Sequence, residues 1–273
     1  MKTISYQGVA GAYSEQACKN AYPNFTPVAC DTFAKAMQKV ENAEADIAMI
    51  PLENSTAGRV EEIYRLIPKM KLNIIAEHYE PVVHCLLGVK GSSIDDLTCV
   101  GSHPQALAQC HNNILSLNLE AIAKLDTAGS AKDLCSFGDK TKGAIASKLA
   151  ADIYDLIVLK EHFEDISGNI TRFFVLSREN VVPDFDENEE FITSLIFKVR
   201  DIPAALYKAL GGFATNSINL LKIESYMHSL DDDSSFHIDI DGHIEQKAMK
   251  LALEELTFYA KDLKILGTYK KSS

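Results

Sequence analysis

Positive charge is in short supply. Only 27 lysines and arginines face 38 aspartates and glutamates across 273 residues, for a formal net charge of −11. Nucleic acids and anionic membrane surfaces select clustered cations, so both are excluded as main partners. The field of the whole molecule does nothing to draw in an anionic substrate, and an anion site here must raise its positive potential locally. Long apolar runs are missing too. Nothing approaches the roughly 20 residues that span a bilayer, and the opening MKTISYQGVAGAYSE lacks the apolar core of a signal peptide. The six cysteines, Cys18, Cys30, Cys85, Cys99, Cys110 and Cys135, include no C-x-x-C pair. That argues against a metal centre and against a disulfide framework. The expectation is a cytoplasmic protein with free thiols, no metal and no membrane association.

What remains is ordinary for a globular chain: 47% hydrophobic and 24% charged residues, with length for one large or two modest cores. From Met1 to about Arg178 strand patterns alternate with helical ones. Phe33, Ala36, Met37 and Val40 mark one helical face, ahead of the strand-like DIAMI at 46–50. Val60, Ile63, Tyr64 and Ile67 repeat the spacing, as do Leu107, Cys110, His111 and Ile114. GAIASKLAADIY reads as a strand running into a helix. Such alternation predicts an α/β architecture with largely parallel sheets.

Several of these helices are predicted to start at a polar capping residue: Ser14, Ser102 (ahead of Pro104) and Ser147. Helix starts at the carboxyl ends of strands gather unpaired N–H groups, which can hold anions without net charge.

The acidic stretch ENVVPDFDENEE, at 179–190, reads as a linker. Beyond it the order changes. FITSLIFKVR predicts a strand, PAALYKALGGF a helix, INLLKIESY and SFHIDID two strands, QKAMKLALEELTFYA a helix and LKILGTY a strand. A βαββαβ order gives an antiparallel sheet with both helices on one face. The opposite face and the edges then suit self-association.

Four loops of the first half bear on function. GVAGAYSEQA, Gly8 to Ala17, is glycine-rich between strand and helix, without the P-loop lysine or the full dinucleotide fingerprint. PLENSTAG presents Glu53, Asn54 and Ser55 after a strand. SHPQALAQC carries Ser102 and, two turns on, Gln109. NITRF supplies Thr171 and Arg172 ahead of an apolar strand. These four stretches in this order, with the βαββαβ tail, resemble the prephenate dehydratase family over nearly the whole chain.

The resemblance implies a fold: a two-lobed, periplasmic-binding-protein-like α/β catalytic domain over 1–178, then an α+β ferredoxin-like ACT regulatory domain over 191–273. The lobes are expected at about 1–78 plus 160–178 and at 79–159. It also implies a carbon–oxygen lyase that converts prephenate to phenylpyruvate, with no cofactor. Prephenate carries two carboxylates and a ring hydroxyl that must depart. Hydroxide leaves poorly, so a proton or strong hydrogen bond has to reach that oxygen. The family's essential threonine corresponds to Thr171, which can orient the departing oxygen but is too weak an acid to release a proton. Asn54, Ser102 and Gln109 are expected to hold substrate. Glu53 is the carboxyl placed to act as an acid, although at an ordinary pKa only about 1 in 500 glutamates is protonated at pH 7. Ala12, Ser14, Ser55, Gln105, Arg172 and Phe173 complete the expected binding set. Arg172 suits either a carboxylate clamp or an ion pair bracing a lobe, since it alternates with Thr171 along a strand. His103, in a first helical turn, suits structure or binding better than acid catalysis.

In the regulatory half the resemblance implies L-phenylalanine as effector, sensed near Ala205, Leu206, Asn219, Leu220, Glu224 and Ser225, in a homodimer or homotetramer. The family's Gly-Ala-Leu reads here as Ala204-Ala205-Leu206, and its Glu-Ser-Arg-Pro as Glu224-Ser225-Tyr226-Met227. Ala204 adds a methyl where a ligand would meet backbone. Three other readings stand beside the prephenate one: an arogenate dehydratase, a small-anion binding protein without chemistry, and an amino-acid sensor that has lost catalysis.

Overall fold

The computed structural model describes residues 1–226 and 235–272, so Met227 lies outside the described residues. β1 (Thr3–Gln7) turns into α1 (Tyr13–Ala21), and β2 (Thr26–Cys30) leads to α2 (Phe33–Glu41). β3 (Ile47–Asn54) folds back on the two-residue β4 (Gly58–Arg59), before α3 (Glu61–Leu66) and β5 (Asn73–Pro81). Then come β6 (Cys85–Gly88), β7 (Cys99–Ser102), α4 (Pro104–Gln109), α5 (His111–Ser116) and β8 (Glu120–Ala123). α6 (Thr127–Phe137), β9 (Lys142–Ala146), α7 (Lys148–Ile153), β10 (Ile157–Lys160) and β11 (Ile170–Ser177) follow. The chain closes with β12 (Phe191–Val199), α8 (Ala205–Thr215), β13 (Leu220–Tyr226), β14 (Ser235–Asp241), α9 (Lys247–Tyr259) and β15 (Ala260–Lys270).

These strands form three sheets: β2-β1-β3-β11-β5 with β4 on β3, then β10-β6-β9-β7-β8, then β13-β14-β12-β15. The predicted parallel pairing holds for β1 with β2 and for β7 with β8 and β9. β6, however, runs antiparallel to both β9 and β10. The helical face at Leu107–Ile114 is also two helices rather than one, broken at Cys110 (φ −112, ψ 14), and His111 is exposed.

The chain divides into two compact units. Met1–Lys39, Met49–Val60 and Tyr79–Phe173 make the first, and Val40–Ala48, Glu61–His78 and Phe174–Ser273 the second. This division differs from the expected one, in which the C-terminal segment stands apart behind its acidic linker. In the first unit the second sheet buries both faces. Leu86 packs with Val100, Ile145 and Phe163 on one side, while Leu87 packs with Ala128, Ala131, Ala146 and Ala150 on the other. Alternate residues of one strand thus serve opposite layers.

In the second unit the βαββαβ order appears as predicted. Leu195, Phe197, Phe236, Ile238 and Ile240 meet Ala209 and Phe213 of α8 and Met249, Ala252 and Leu256 of α9. The opposite face corrects the expectation that it would be exposed. In the central strands it is buried: Ser194, His237 and Tyr269 are fully enclosed. Residues Tyr64 and Phe174 lie against it, with ring centroids 5.9 and 6.0 Å from that of His237. No helix among the described residues is long and apolar enough to cross a membrane.

Candidate active site

The glycine-rich loop owes its composition to geometry. Gly8 and Gly11 take φ of 133° and 86°, which side chains disfavour. A Cβ on Gly11 would also lie 2.8 Å from Ala150 Cα. The Gly11 N–H donates to Glu15 Oε2 at 2.7 Å, and its carbonyl accepts from Ser147 Oγ at 2.6 Å. Pinned in this way, the loop delivers Ala12, Tyr13 and Ser14 to the wall of a cavity.

The helix starts differ from expectation at two of three sites. α1 begins at Tyr13 behind Ala12, which is extended (φ −66, ψ 154), so Ser14 lies inside the first turn and caps nothing. β7 runs on through Ser102, which pairs with Ala123 in register and donates to Ile145 O at 2.6 Å. The cap of α4 is therefore His103, whose Nδ1 accepts from Gln105 N at 3.3 Å. Ser147 does cap α7, accepting from Ala150 N at 3.0 Å.

The cavity measures about 490 Å³, inside the range of roughly 300–1,000 Å³ typical of small-molecule sites. Of the residues expected at the site, Ala12, Ser14, Asn54, Gln105, Gln109, Thr171 and Phe173 line it. Thr171 and Phe173 share this face of β11, as strand alternation requires. Four others do not line it. Glu53 and Arg172, each next in sequence to a lining residue, pair with one another at 3.4 Å. Arg172 is buried there, with its guanidinium 6.0 Å from the Tyr79 ring centroid. Ser55 Oγ accepts from Ile170 N at 3.0 Å and fastens the loop to β11. Ser102 is buried beneath the wall, bonded to Ile145 as above.

The structure also brings residues to the cavity that received no role from the sequence: Tyr13, His84 and Asn169, with Asp31 and Asp126. Asn169 opens the NITRF stretch itself. His84 follows the apolar PVV of the short link between β5 and β6 and carried no periodic signal.

Hydrogen bonding orients three of the amides in the wall, those of Asn54, Asn169 and Gln109. Backbone N–H groups of Thr56 and Ala57 donate to Asn54 Oδ1 at 3.0 and 2.9 Å. Asn54 Nδ2 must then donate, and does so to Asn169 Oδ1 at 2.6 Å and to Thr171 Oγ1 at 2.9 Å. Asn169 Nδ2 in turn donates to Gln109 Oε1 at 2.9 Å. Two donor groups are left over. The Thr171 hydroxyl proton and the Gln109 amide nitrogen have no acceptor among the described residues, and both side chains line the cavity. Donors held in advance of the ligand cost no reorganisation when it arrives.

Burial lowers the affinity of His84 for a proton below that of an ordinary imidazole, the bond to Gln109 and the nearby Glu164 opposing it only in part. Burial likewise holds the Tyr13 phenol well above its usual range, so it stays protonated. Asp31 is kept below the usual carboxylate range by Lys35, 2.6 Å away. Among the described residues no lysine or arginine lines the cavity. The arrangement can grip oxygen atoms through neutral donors and seat a small ring against Val9, Val82 and Phe173.

The residues expected to sense an effector are spread over the C-terminal segment. Ala205 opens α8, and Leu206 and Leu220 pack on its core. Asn219 is exposed, its carbonyl accepting from Asp241 N at 3.0 Å. Glu224 lies 3.8 Å from Lys222, and Ser225 is exposed on β13.

Comparison with known proteins identifies a family match. Residues 4–181 match the model of the family described as prephenate dehydratase. A bifunctional N-acyl-homoserine lactone acylase/prephenate dehydratase from Komagataeibacter europaeus is 40% identical over 99% of this chain and 96% of its own length. Arogenate dehydratase 2 of Petunia hybrida is 41% identical, over 99% of this chain and 72% of its own. Among solved structures, a prephenate dehydratase from Arthrobacter aurescens, in complex with L-Phe, superposes with a TM-score of 0.89 at 28% identity. It covers 98% of this chain and 90% of that one.

Proposed function

The chain belongs to the prephenate dehydratase family, and from that premise we propose that it converts prephenate to phenylpyruvate as a carbon–oxygen lyase. The observation that carries the reading is the 2.9 Å bond from Asn54 Nδ2 to Thr171 Oγ1. Because Thr171 accepts there, its own proton is free for an oxygen in the cavity. In the reaction the ring carboxylate leaves as carbon dioxide and its electron pair moves through the ring. The carbon–oxygen bond opposite breaks as the ring becomes aromatic. The departing hydroxide leaves hydrogen-bonded to Thr171, and the Gln109 amide donates to a substrate oxygen. Glu53, turned to Arg172, takes no part in that step.

A second reading has its own support. Among the described residues two aspartates and no lysine or arginine line the cavity, which disfavours a dianion more than a substrate that also carries an ammonium group. Arogenate is that substrate, and it would yield phenylalanine.

The βαββαβ segment is read as an ACT domain that binds L-phenylalanine through Ala205, Leu206, Asn219, Leu220, Glu224 and Ser225 and assembles the chain into a homodimer or homotetramer. The element order supports this, as does the L-Phe bound to the Arthrobacter relative. A cytoplasmic location accords with the free thiols.

One assay tests the set. Purified protein is incubated with prephenate and with arogenate, and phenylpyruvate and phenylalanine are followed with and without added phenylalanine. Turnover of neither substrate overturns the catalytic reading. Absence of phenylalanine binding by calorimetry overturns the regulatory one.

A further inference from the structure

His84 occupies an unusual position for a residue with no place in the chemistry above. It is buried at 3% exposure, yet it lines the cavity. Its backbone is clamped on both sides, the N–H donating to Glu164 Oε2 at 2.9 Å and the carbonyl accepting from Phe163 N at 2.8 Å. Both ring nitrogens are engaged. Nε2 stands 2.8 Å from Gln109 Oε1, and Nδ1 stands 2.8 Å from the Tyr13 hydroxyl. That hydroxyl is also 2.9 Å from Val83 O, and the two rings meet edge to face at 76°.

The proton positions follow from these partners. Gln109 Oε1 can only accept, and it already accepts from Asn169, so His84 Nε2 carries a hydrogen. In the neutral ring Nδ1 is then an acceptor, and the one Tyr13 hydroxyl proton lies between it and Val83 O, to which that hydroxyl donates at 2.9 Å. The opposite tautomer would present a bare Nε2. The Gln109 oxygen would then keep only one of its two donors, that from Asn169. The Nε2–H of His84 is thus a second donor, beside Asn169, that keeps the Gln109 oxygen inward and its NH2 toward the cavity. Asn169 shares this task. It supplies one hydrogen bond to Oε1, and Gln109 sits at the last residue of a six-residue helix, where its side chain is held by little else.

We propose that His84, in its Nε2–H form, is a positioning residue that, beside Asn169, holds the Gln109 amide donor toward the substrate. For its kinetic arm this rests on the dehydratase reading. Its spectroscopic arm does not.

The spectroscopic arm is a long-range 1H–15N spectrum of the wild-type protein between pH 7 and 8, with His84 assigned by comparison with His84→Gln. A neutral Nε2–H tautomer is expected, and an Nδ1–H tautomer overturns the proposal whether or not any substrate is turned over. The kinetic arm compares His84→Leu and His84→Gln, alone and in a Gln109→Ala background, with melting curves to confirm folding. His84→Leu is expected to lower kcat by roughly tenfold to a hundredfold, the range for a buried polar group that loses its partner. His84→Gln, which can still donate to Gln109, should recover most of that loss. In the Gln109→Ala background the leucine substitution should change kcat less than about threefold, because the group it positions is gone. Losses that multiply across the two sites overturn the proposal, as does a glutamine variant as slow as the leucine one. If the leucine variant does not fold, the tautomer and the glutamine variant decide.

Discussion

Glu53 and Arg172 hold each other at 3.4 Å, while their immediate neighbours Asn54 and Thr171 bond to each other in the cavity wall. Two adjacent strands thus carry a structural pair and a chemical pair, one residue out of step on each. Glu53→Gln should leave kcat within a few-fold of wild type. It should lower the melting temperature, because a buried guanidinium loses charge from a partner, a change worth about 1–3 kcal/mol. Steady-state kinetics and a thermal melt read the two effects separately. A large loss of kcat with unchanged stability would return Glu53 to the chemistry.

Thr171→Val keeps the shape of the side chain and removes only the donor. If Thr171 supports the departing oxygen, kcat should fall by about 10²–10³, the usual cost of one preorganised donor at a site of developing charge, with little change in KM. Asn54→Asp probes the same bond from the other side. It removes the donor to Thr171 and adds charge, so it should be at least as damaging. Single-turnover measurement would separate the chemical step from product release.

Asp126 accepts from Gly129 N as the cap of α6 and lines the cavity as well. Asp126→Asn preserves the cap, since asparagine serves nearly as well there, but takes one negative charge from the wall. The kcat/KM for prephenate should rise severalfold relative to that for arogenate. Added salt should narrow the difference between the two proteins, as screening of partly exposed charges requires. An unchanged preference between the substrates would show that Asp126 lies outside the reach of their differing ends.

Much of this was legible before the fold was known, for definite physical reasons. Periodicity marked α2, where Ala36, Met37 and Val40 are all buried. The βαββαβ order followed from strand and helix patterns alone, and the alternation on β11 put Thr171 and Phe173 on one face. Other features depend on neighbours far along the chain. His84 reaches Gln109 across 25 residues and Asn169 reaches it across 60, and no local pattern encodes either meeting. Ser102 looked like a cap because it precedes a proline-initiated helix, but strand pairing with Ala123 extended β7 through it. The polar face of β14 looked solvent-exposed because Ser235, His237 and Asp239 alternate with apolar residues. They are buried, and Ser194 Oγ, itself bonded to Asp239, lies 2.9 Å from the Tyr269 hydroxyl. Alternation reports which residues share a face, not what covers it.

Ala204 has φ 57° and ψ 34° at the start of α8, a left-handed conformation that costs a residue with a Cβ about 1–2 kcal/mol. Glycine would relieve that strain. It would also make the unfolded chain more flexible, a penalty of about 0.4–1 kcal/mol. The first effect exceeds the second, so Ala204→Gly should stabilise the protein by about 0.5–1 kcal/mol. Denaturant unfolding measures this directly, and a destabilised variant would mean that the methyl group packs usefully where it is.

The pH dependence of stability should carry a signature of His84. Burial depresses its folded-state pKa below the ordinary value of 6.5, so the unfolded chain binds a proton there more readily than the folded one. Stability from this residue is then fully present above about pH 6.5. It declines as pH falls from there toward the folded-state value, because stability rises with pH wherever the unfolded state holds more protons. Glu164 opposes the shift but is outweighed by burial. The chain holds eight histidines, so the informative quantity is a difference. Melting temperatures of wild type and His84→Gln, measured from pH 8 to pH 5, should separate most at high pH and converge as the solution is acidified. Parallel curves would mean that His84 takes up its proton as easily in the folded protein as in the unfolded chain.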